Sequence, residues 1–268
     1  MFETGIKVGS IGIYRAALSS ALPYIDSQPV GQHRRVTELI KGMTNIRPCQ
    51  FKTAKSWNVD QVLETLISWG KVWELDIYQM TWKLAMLFAL SSGGRCSELT
   101  ALDTKSMIKL PDGIQFRLTR HKKNRRSSVL PGTIFIPSYH IKELCPVYNM
   151  NHYLIQTHDH RNLQGPDPDY VFRAITPPHQ GVSPSTFSRW ISEVIFRSGY
   201  SRNGNIGHST RSKATSKSLL FPGFTIQQIM QQAEWKSESV FQHFYHENTR
   251  ANFGKAVLHM DETLDLKG

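Results

Sequence analysis

Apolar residues recur along this chain mostly at the three-to-four-residue spacing of helices, with a stretch of strand-like alternation near the middle. Together with start and stop signals, this spacing predicts helices over residues 10–22, 32–42, 59–73, 77–92, 146–157, 184–198, 208–220, 226–233 and 238–246. The helix over 77–92 is apolar nearly all round, which is typical of a helix at the centre of a core. Gly93 and Gly94 end it, and a further short helix is predicted around Arg95.

The predicted helix ends rest on residues that cap or break helices. A capping-box-like pattern is formed by Asn58 and by Gln61 three residues later. Other start or stop signals are Ser10, Gly42, Ser183 followed by Pro184, Gly199, Thr225 and Ser237.

Residues 107–118 contain two extended runs joined by Pro-Asp-Gly, which is a hairpin signal. A third run at 133–137 follows a basic loop, and three strands are sufficient for a small antiparallel sheet. The patterns therefore predict a mainly α (α+β) fold with one small three-stranded sheet.

A polar segment at about 45–56, with a proline and little periodicity, reads as a linker. It divides the chain into a helical region over 1–55 and a larger domain over 56–268. The last 20 residues are weakly patterned, and 261–265 is acidic.

The formal net charge of +11 over 268 residues favours a polyanionic partner. Nucleic acid is the first interpretation, a membrane surface the second, and a basic protein without such a ligand the third. The three cysteines show neither a disulfide pattern nor zinc-ligand spacing, so no metal is expected. No signal peptide is expected, and the longest apolar run, over 84–90, is far too short to span a membrane.

Six chemically capable residues, scattered over 150 positions, make sense only together, because their groups suit holding a phosphodiester while a tyrosine hydroxyl attacks it. They are Arg95 in SGGRCSEL, Lys122 in TRHKKNRR, His208 and Arg211 in GHSTR, Trp235 in AEWKSES and Tyr245 in FQHFYHE. Each has a plainer reading when taken alone. Arg95 would then bridge two helices, the lysine would lie in a solvated basic turn, and the aromatic residues would belong to the core.

The order and local contexts of these residues resemble the tyrosine recombinases, or phage-integrase family, and most closely the recombinases of DIRS-like retrotransposons. The resemblance covers roughly residues 58–250 with all six positions filled. It implies a tyrosine-recombinase catalytic fold, preceded in 1–55 by a truncated helical core-binding domain whose earlier helices are missing. The gap between Trp235 and Tyr245 is one residue longer than in phage integrases and normal for the retrotransposon branch.

The resemblance also implies a role for each residue. Tyr245 would be the nucleophile, and Lys122, with Lys123 as the alternative, would protonate the leaving 5′ oxygen. Arg95, His208, Arg211 and Trp235 would contact the phosphate oxygens, with His208 a candidate to take the tyrosine proton. Glu98 would orient a neighbouring cation. The remaining basic residues around the predicted loop would follow the DNA backbone, namely Arg117, Arg120, Lys123, Arg125 and Arg126.

The function implied is cleavage and rejoining of double-stranded DNA through a 3′-phosphotyrosyl intermediate, in the recombination or integration of a mobile element. The resemblance implies no cofactor. It does imply a tetramer on DNA and a nuclear location. One alternative is relaxation of supercoils in the manner of a type IB topoisomerase. Another is a domesticated DNA-binding protein without activity. A third, an RNA- or membrane-binding domain, lacks a supporting pattern.

Overall fold

The computed structural model describes residues 1–48, 57–118, 132–161, 168–201, 209–218, 223 and 225–232. By its internal contacts the chain divides into two compact units, Met1–Thr53 and Ala54–Gly268. None of the helices within the described residues is long and apolar enough to cross a membrane.

The described part of the first unit contains two α-helices, α1 (Val8–Ala21) and α2 (Arg34–Ile46), and a short 3-10 helix, Val30–Gln32. Two predicted boundaries are wrong here. Ser10 does not open α1, since the amides of Ser10 and Ile11 already donate to the carbonyl of Lys7. Gly42 does not end α2; a glycine in helical conformation only weakens a helix, and α2 continues to the residue before Arg47-Pro48, where the proline disfavours further helix.

The second unit contains seven described helices. They are α3 (Val59–Ser68), α4 (Ile77–Ser92), α5 (Cys96–Leu99), α6 (Pro146–Gln156), α7 (Pro184–Arg197), α8 (Ser209–Ser218) and α9 (Ile226–Gln232). The predicted helix over 59–73 is too long, because Gly70 adopts a left-handed φ of 87° and ends that helical path. The predicted helix over 238–246 lies outside the described residues.

Three of the predicted N-caps are confirmed by side-chain hydrogen bonds. Asn58 accepts from the amide of Asp60 at 2.8 Å, Ser183 from Thr186 at 3.2 Å, and Thr225 from Gln228 at 3.2 Å. The capping box predicted at the start of α3 is wrong in one respect. The side chain of Gln61 leaves its own helix and bonds to the segment after α7.

The prediction that the apolar helix lies at the centre of the core is confirmed. Ten of the 16 residues of α4 are buried, and α6, α7, α8 and the sheet pack around it. Phe88 of α4 packs edge-on against Phe172, with ring centroids 5.4 Å apart. A lysine, Lys83, lies among these buried residues, and its ammonium donates to the carbonyls of Leu66 and Gly70 at the end of α3.

The sheet is an antiparallel meander of β1 (Met107–Leu110), β2 (Gly113–Arg117) and β3 (Thr133–Pro137), in the order β1-β2-β3. The predicted hairpin is confirmed, since Leu110 pairs with Gly113 across the two-residue turn. A β-carbon at position 113 would collide with the carbonyl oxygen of Ile136, so the close approach of β3 requires a glycine there. The pairing of β2 with β3 runs out to Arg117 and Thr133, so this end of the sheet adjoins the basic run over 117–126.

Candidate active site

The end of α4 is shaped so that the chain turns sharply before Arg95. Gly93 adopts a left-handed φ of 61°, and the Ser92 hydroxyl accepts from the amide of Gly94 at 3.0 Å. A β-carbon on Gly94 would lie 3.1 Å from the Leu99 side chain, tighter than ordinary packing. The double glycine therefore lets α5 begin close to the end of α4, with Arg95 as its N-cap.

Arg95 is held by Glu98 through two hydrogen bonds. The Arg95 guanidinium donates from Nη1 to Oε1 at 2.6 Å, and the Arg95 backbone amide donates to Oε2 at 2.9 Å. The side chain of Glu98 is 12% exposed and that of Arg95 is 49% exposed. The carboxylate thus fixes the arginine from the protein side and leaves about half of its surface available to an anion.

Arg211 lies in the first turn of α8, which packs against α3 and α4. Its side chain is partly buried, with Nε and Nη2 shielded from solvent. Apolar residues are scarce in α8, and its buried positions include Thr210 and Thr215, each 4% exposed. The Thr215 hydroxyl donates back to the carbonyl of Arg211 at 2.7 Å. This helix is therefore held mainly by its neighbours rather than by an apolar face.

The described residues include four of the predicted site positions, Arg95, Glu98, Arg117 and Arg211. Arg117 is exposed and ends β2, within the extended run predicted over 107–118 and at the start of the basic run. The others lie outside the described residues: Lys122, His208, Trp235 and Tyr245, with Arg120, Lys123, Arg125 and Arg126.

A buried ionic cluster around Asp169 was missed by sequence reasoning. Its carboxylate accepts from Arg173 Nη2 at 2.8 Å, from Arg161 Nη1 at 3.2 Å and from the Thr104 hydroxyl at 2.5 Å. Burial alone would raise the pKa of Asp169, but the hydroxyl and the two guanidinium groups hold it below its ordinary value. Asp169 and Arg173 stand four residues apart, but no local signal links them to Thr104, which lies 65 residues before Asp169 in the chain.

The cluster has a structural task. Arg161 also donates to the carbonyls of Tyr170 and Val171, each at 2.9 Å, and Asp103 accepts from the Asp169 amide at 3.1 Å. The cluster thereby ties the segment after α6 to the segment after α5 and satisfies backbone groups that would otherwise be buried without partners.

A cavity of about 210 Å³ lies beside this cluster and not at Arg95. Its lining includes Ile77 and Thr81 from the first turns of α4, together with Tyr153 and Arg173. Arg95 follows the other end of α4, and a 16-residue helix is about 24 Å long at about 1.5 Å per residue. The cavity is therefore remote from the candidate active site.

Several solved structures share this architecture. XerA recombinase matches 96% of this chain and 85% of its own, with a TM-score of 0.53 and 20% identity. XerH site-specific recombinase, bound to a palindromic difH substrate in a post-cleavage complex, matches 95% of this chain and 69% of its own, with a TM-score of 0.62 and 13% identity. The chain has the tyrosine-recombinase fold. The Tn1549 transposon integrase, in complex with circular intermediate DNA, gives a TM-score of 0.55 at 12% identity over 96% of this chain and 81% of its own.

No protein-family model matches the sequence, and no curated protein matches it. Within the tyrosine-recombinase fold of this chain, α4 adjoins two segments that carry predicted site residues and one strand that follows the basic run. Arg95 follows its C-terminal end, α8 with Arg211 packs on its side, and β3, which flanks the basic loop, packs against it as well. Segments far apart in sequence thus adjoin one buried helix.

Proposed function

We propose that this protein cleaves and rejoins DNA strands as a recombinase, through a covalent 3′-phosphotyrosyl intermediate. The observation that carries the proposal is the half-exposed Arg95 guanidinium, clamped by Glu98 at the end of a buried helix in a tyrosine-recombinase fold. A cation fixed in this way is preorganised for a phosphate whose negative charge grows during reaction.

In the proposed cleavage step, the Tyr245 hydroxyl oxygen attacks the scissile phosphorus in line. The bond between that oxygen and phosphorus forms while the bond from phosphorus to the 5′ oxygen breaks, and the tyrosine proton passes to His208. Arg95 and Arg211 neutralise the non-bridging oxygens, and the Trp235 indole N–H donates to one of them.

The leaving 5′ oxygen takes its proton from Lys122 or, alternatively, Lys123. A lysine suits this task when neighbouring cations lower its pKa, and the basic run TRHKKNRR supplies such cations. The phosphotyrosyl bond conserves the energy of the broken phosphodiester, so a 5′-hydroxyl can attack it in reverse. If this hydroxyl comes from a partner duplex, the result is strand exchange.

The proposed partner is double-stranded DNA, and the net charge of +11 supports it. Arg117, exposed at the end of β2, would belong to a phosphate-contacting surface with Arg120, Lys123, Arg125 and Arg126. By its resemblance to DIRS-type recombinases, we assign the chain to the recombination of a mobile element, acting as a tetramer on DNA in the nucleus.

The test is covalent trapping with a pool of nicked duplexes of randomised sequence, in the presence of chelator. A nick just 3′ of the cleavage point releases a short fragment and leaves the phosphotyrosyl enzyme stranded. Adducts that survive denaturing electrophoresis are recovered, and their DNA is sequenced to define the target.

The controls are Tyr245→Phe, which we expect to abolish the adduct, and Tyr139→Phe, an exposed tyrosine whose loss should leave it unchanged. An adduct that persists in Tyr245→Phe would refute the assignment of the nucleophile. DNA binding without any adduct would instead favour a DNA-binding protein without activity. Relaxation of plasmids that lack the selected target would favour a topoisomerase.

A further inference from the structure

We infer that the first turn of α3 holds α8, the helix that carries Arg211, in the orientation the reaction needs. Asp60 and Tyr200 are then positioning residues for the reaction. The inference rests on the proposed function for its catalytic consequence, but its structural part stands on contacts between α3 and the two ends of the segment over 199–217. That segment contains the GHSTR motif.

The near end of the segment is fixed by Tyr200. Gly199, with a φ of 91°, ends α7 in a Schellman-type turn in which the Tyr200 amide donates to the carbonyl of Ile195 at 3.3 Å. This turn brings the Tyr200 hydroxyl against α3, where it donates to Gln61 Oε1 at 2.5 Å and accepts from the Asn58 amide at 2.9 Å. The other end of the Gln61 amide group donates to the carbonyl of Ser198 at 2.8 Å.

The far end of the segment is fixed by an ion pair. Lys217, in the last turn of α8, donates to the carboxylate of Asp60 in the first turn of α3. Each charge also lies at the helix end that favours it, since a cation is stabilised at a C-terminus and an anion at an N-terminus. The same turn of α3 therefore holds the chain both before and after Arg211.

These contacts are suited to setting orientation more than to adding stability. The side chains of Lys217 and Asp60 are 39% and 64% exposed, and an exposed pair stabilises a fold only slightly. Catalysis is more sensitive, since a displacement of about 1 Å in a positioned group can slow a reaction about 100-fold. Loss of the pair should therefore reduce the rate of DNA cleavage much more than it reduces folding.

The test is a double-mutant cycle of Asp60→Asn and Lys217→Met, measured as single-turnover cleavage at saturating DNA, with DNA affinity and thermal midpoint recorded for each protein. We expect each single variant to cleave about fivefold more slowly and the double variant to be no slower than either, because one interaction is lost in all three. Lys217→Arg should retain the wild-type rate. The matched control is Glu64→Gln, which changes another exposed acid of α3.

A second variant, Tyr200→Phe, keeps the ring and removes only the hydroxyl bonded to Asn58 and Gln61. It should slow cleavage with little change in DNA affinity, whereas Tyr78→Phe, at an exposed position of α4, should not. Wild-type rates in both single variants of the cycle, or effects that multiply in the double variant, would overturn the inference.

Hydrogen exchange of the α8 amides separates this inference from the proposed function. If wild type forms no covalent adduct, the proposed function fails. The exchange measurement then tests by itself whether the contacts with α3 hold α8 in place. Faster exchange over 209–218 in Asp60→Asn and Lys217→Met, and normal exchange in Lys217→Arg, would support it. Unchanged exchange in the two disrupting variants would refute it.

Discussion

The buried Lys83 makes the stability of this protein depend on pH in a way that one substitution should remove. Its side chain has no exposed surface, and its ammonium donates to the carbonyls of Leu66 at 2.7 Å and Gly70 at 3.2 Å. Burial lowers the pKa of Lys83 from the ordinary 10.5 to about 8, although the charge of Glu143 opposes the change. The ammonium is thus less favourable in the folded protein than in the unfolded chain.

The direction of the effect follows from proton binding. Between pH 8 and 10.5 the unfolded chain still holds the lysine proton that the folded protein has released, so stability rises with pH in this window. The full difference corresponds to about 3 kcal/mol at about 1.36 kcal/mol per pKa unit. From about pH 7.5 to about pH 9.5 the linkage relation gives a gain of about 2 kcal/mol.

Lys83→Met keeps most of the side-chain volume and removes the titrating group. The assay is urea unfolding of wild type and variant at several values over that pH range. The quantity of interest is the difference between their unfolding free energies, because other titrating groups are common to both proteins. We expect the unfolding free energy of wild type to rise by about 2 kcal/mol relative to that of the variant over this pH range.

Lys109→Met, at an exposed lysine of β1, provides the matched control and should show a difference that does not change with pH. The reasoning would be refuted if the difference between wild type and Lys83→Met were equally flat. It would also be refuted if wild type lost stability relative to the variant as the pH rose, since the ammonium would then be favoured by its site.

Substitutions at four single sites test further consequences of the structure. Asp169→Asn should cost about 3 kcal/mol at neutral pH by breaking a buried ionic cluster. Because the pKa of Asp169 is lowered in the folded protein, the stability it adds is present above its unfolded pKa and is lost as pH falls, so urea midpoints should fall less steeply in acid for the variant than for wild type. Glu98→Gln should slow DNA cleavage about tenfold with little change in DNA affinity, because the clamp on the guanidinium loses its charge; an unchanged rate at saturating DNA would count against the clamp. Gly113→Ala should destabilise the protein by about 2 kcal/mol, since the new methyl group meets the carbonyl oxygen of Ile136. Gly42→Ala, with open space in the middle of α2, should stabilise it by about 0.7 kcal/mol, and thermal midpoints of the two variants compare them directly.

Features that depend on neighbours a few residues apart could be predicted from the sequence. The continuous apolar surface over 77–92 required burial on every side, and α4 is central. The Pro-Asp-Gly turn fixed the register of the first hairpin, and Asn58 capped α3. Glu98 stands one helical turn after Arg95, so the possibility of their contact was also visible in the spacing.

Local sequence signals gave wrong predictions where a residue had a second possible role in the folded protein. Gln61 has the spacing of a capping-box residue, yet its amide bonds to Ser198 and Tyr200, 137 and 139 residues away. Glycine often ends a helix, but Gly42 lies inside α2, where it lowers the stability of the helix without ending it. A glycine or an amide side chain has several possible uses, and packing decides among them.

The sequence by itself thus determined the periodic elements of the described residues and the buried helix, and it predicted which residues would handle a phosphodiester. The tertiary structure alone decided that Asp169 would be buried against Thr104, 65 residues away, that Lys83 would lose its contact with water, and that Lys217 would pair with Asp60, 157 residues away. The physical reason is range. Helix and turn signals act through hydrogen bonds over three or four residues, whereas desolvation and ion pairing depend on which distant segments the packing of the core brings together.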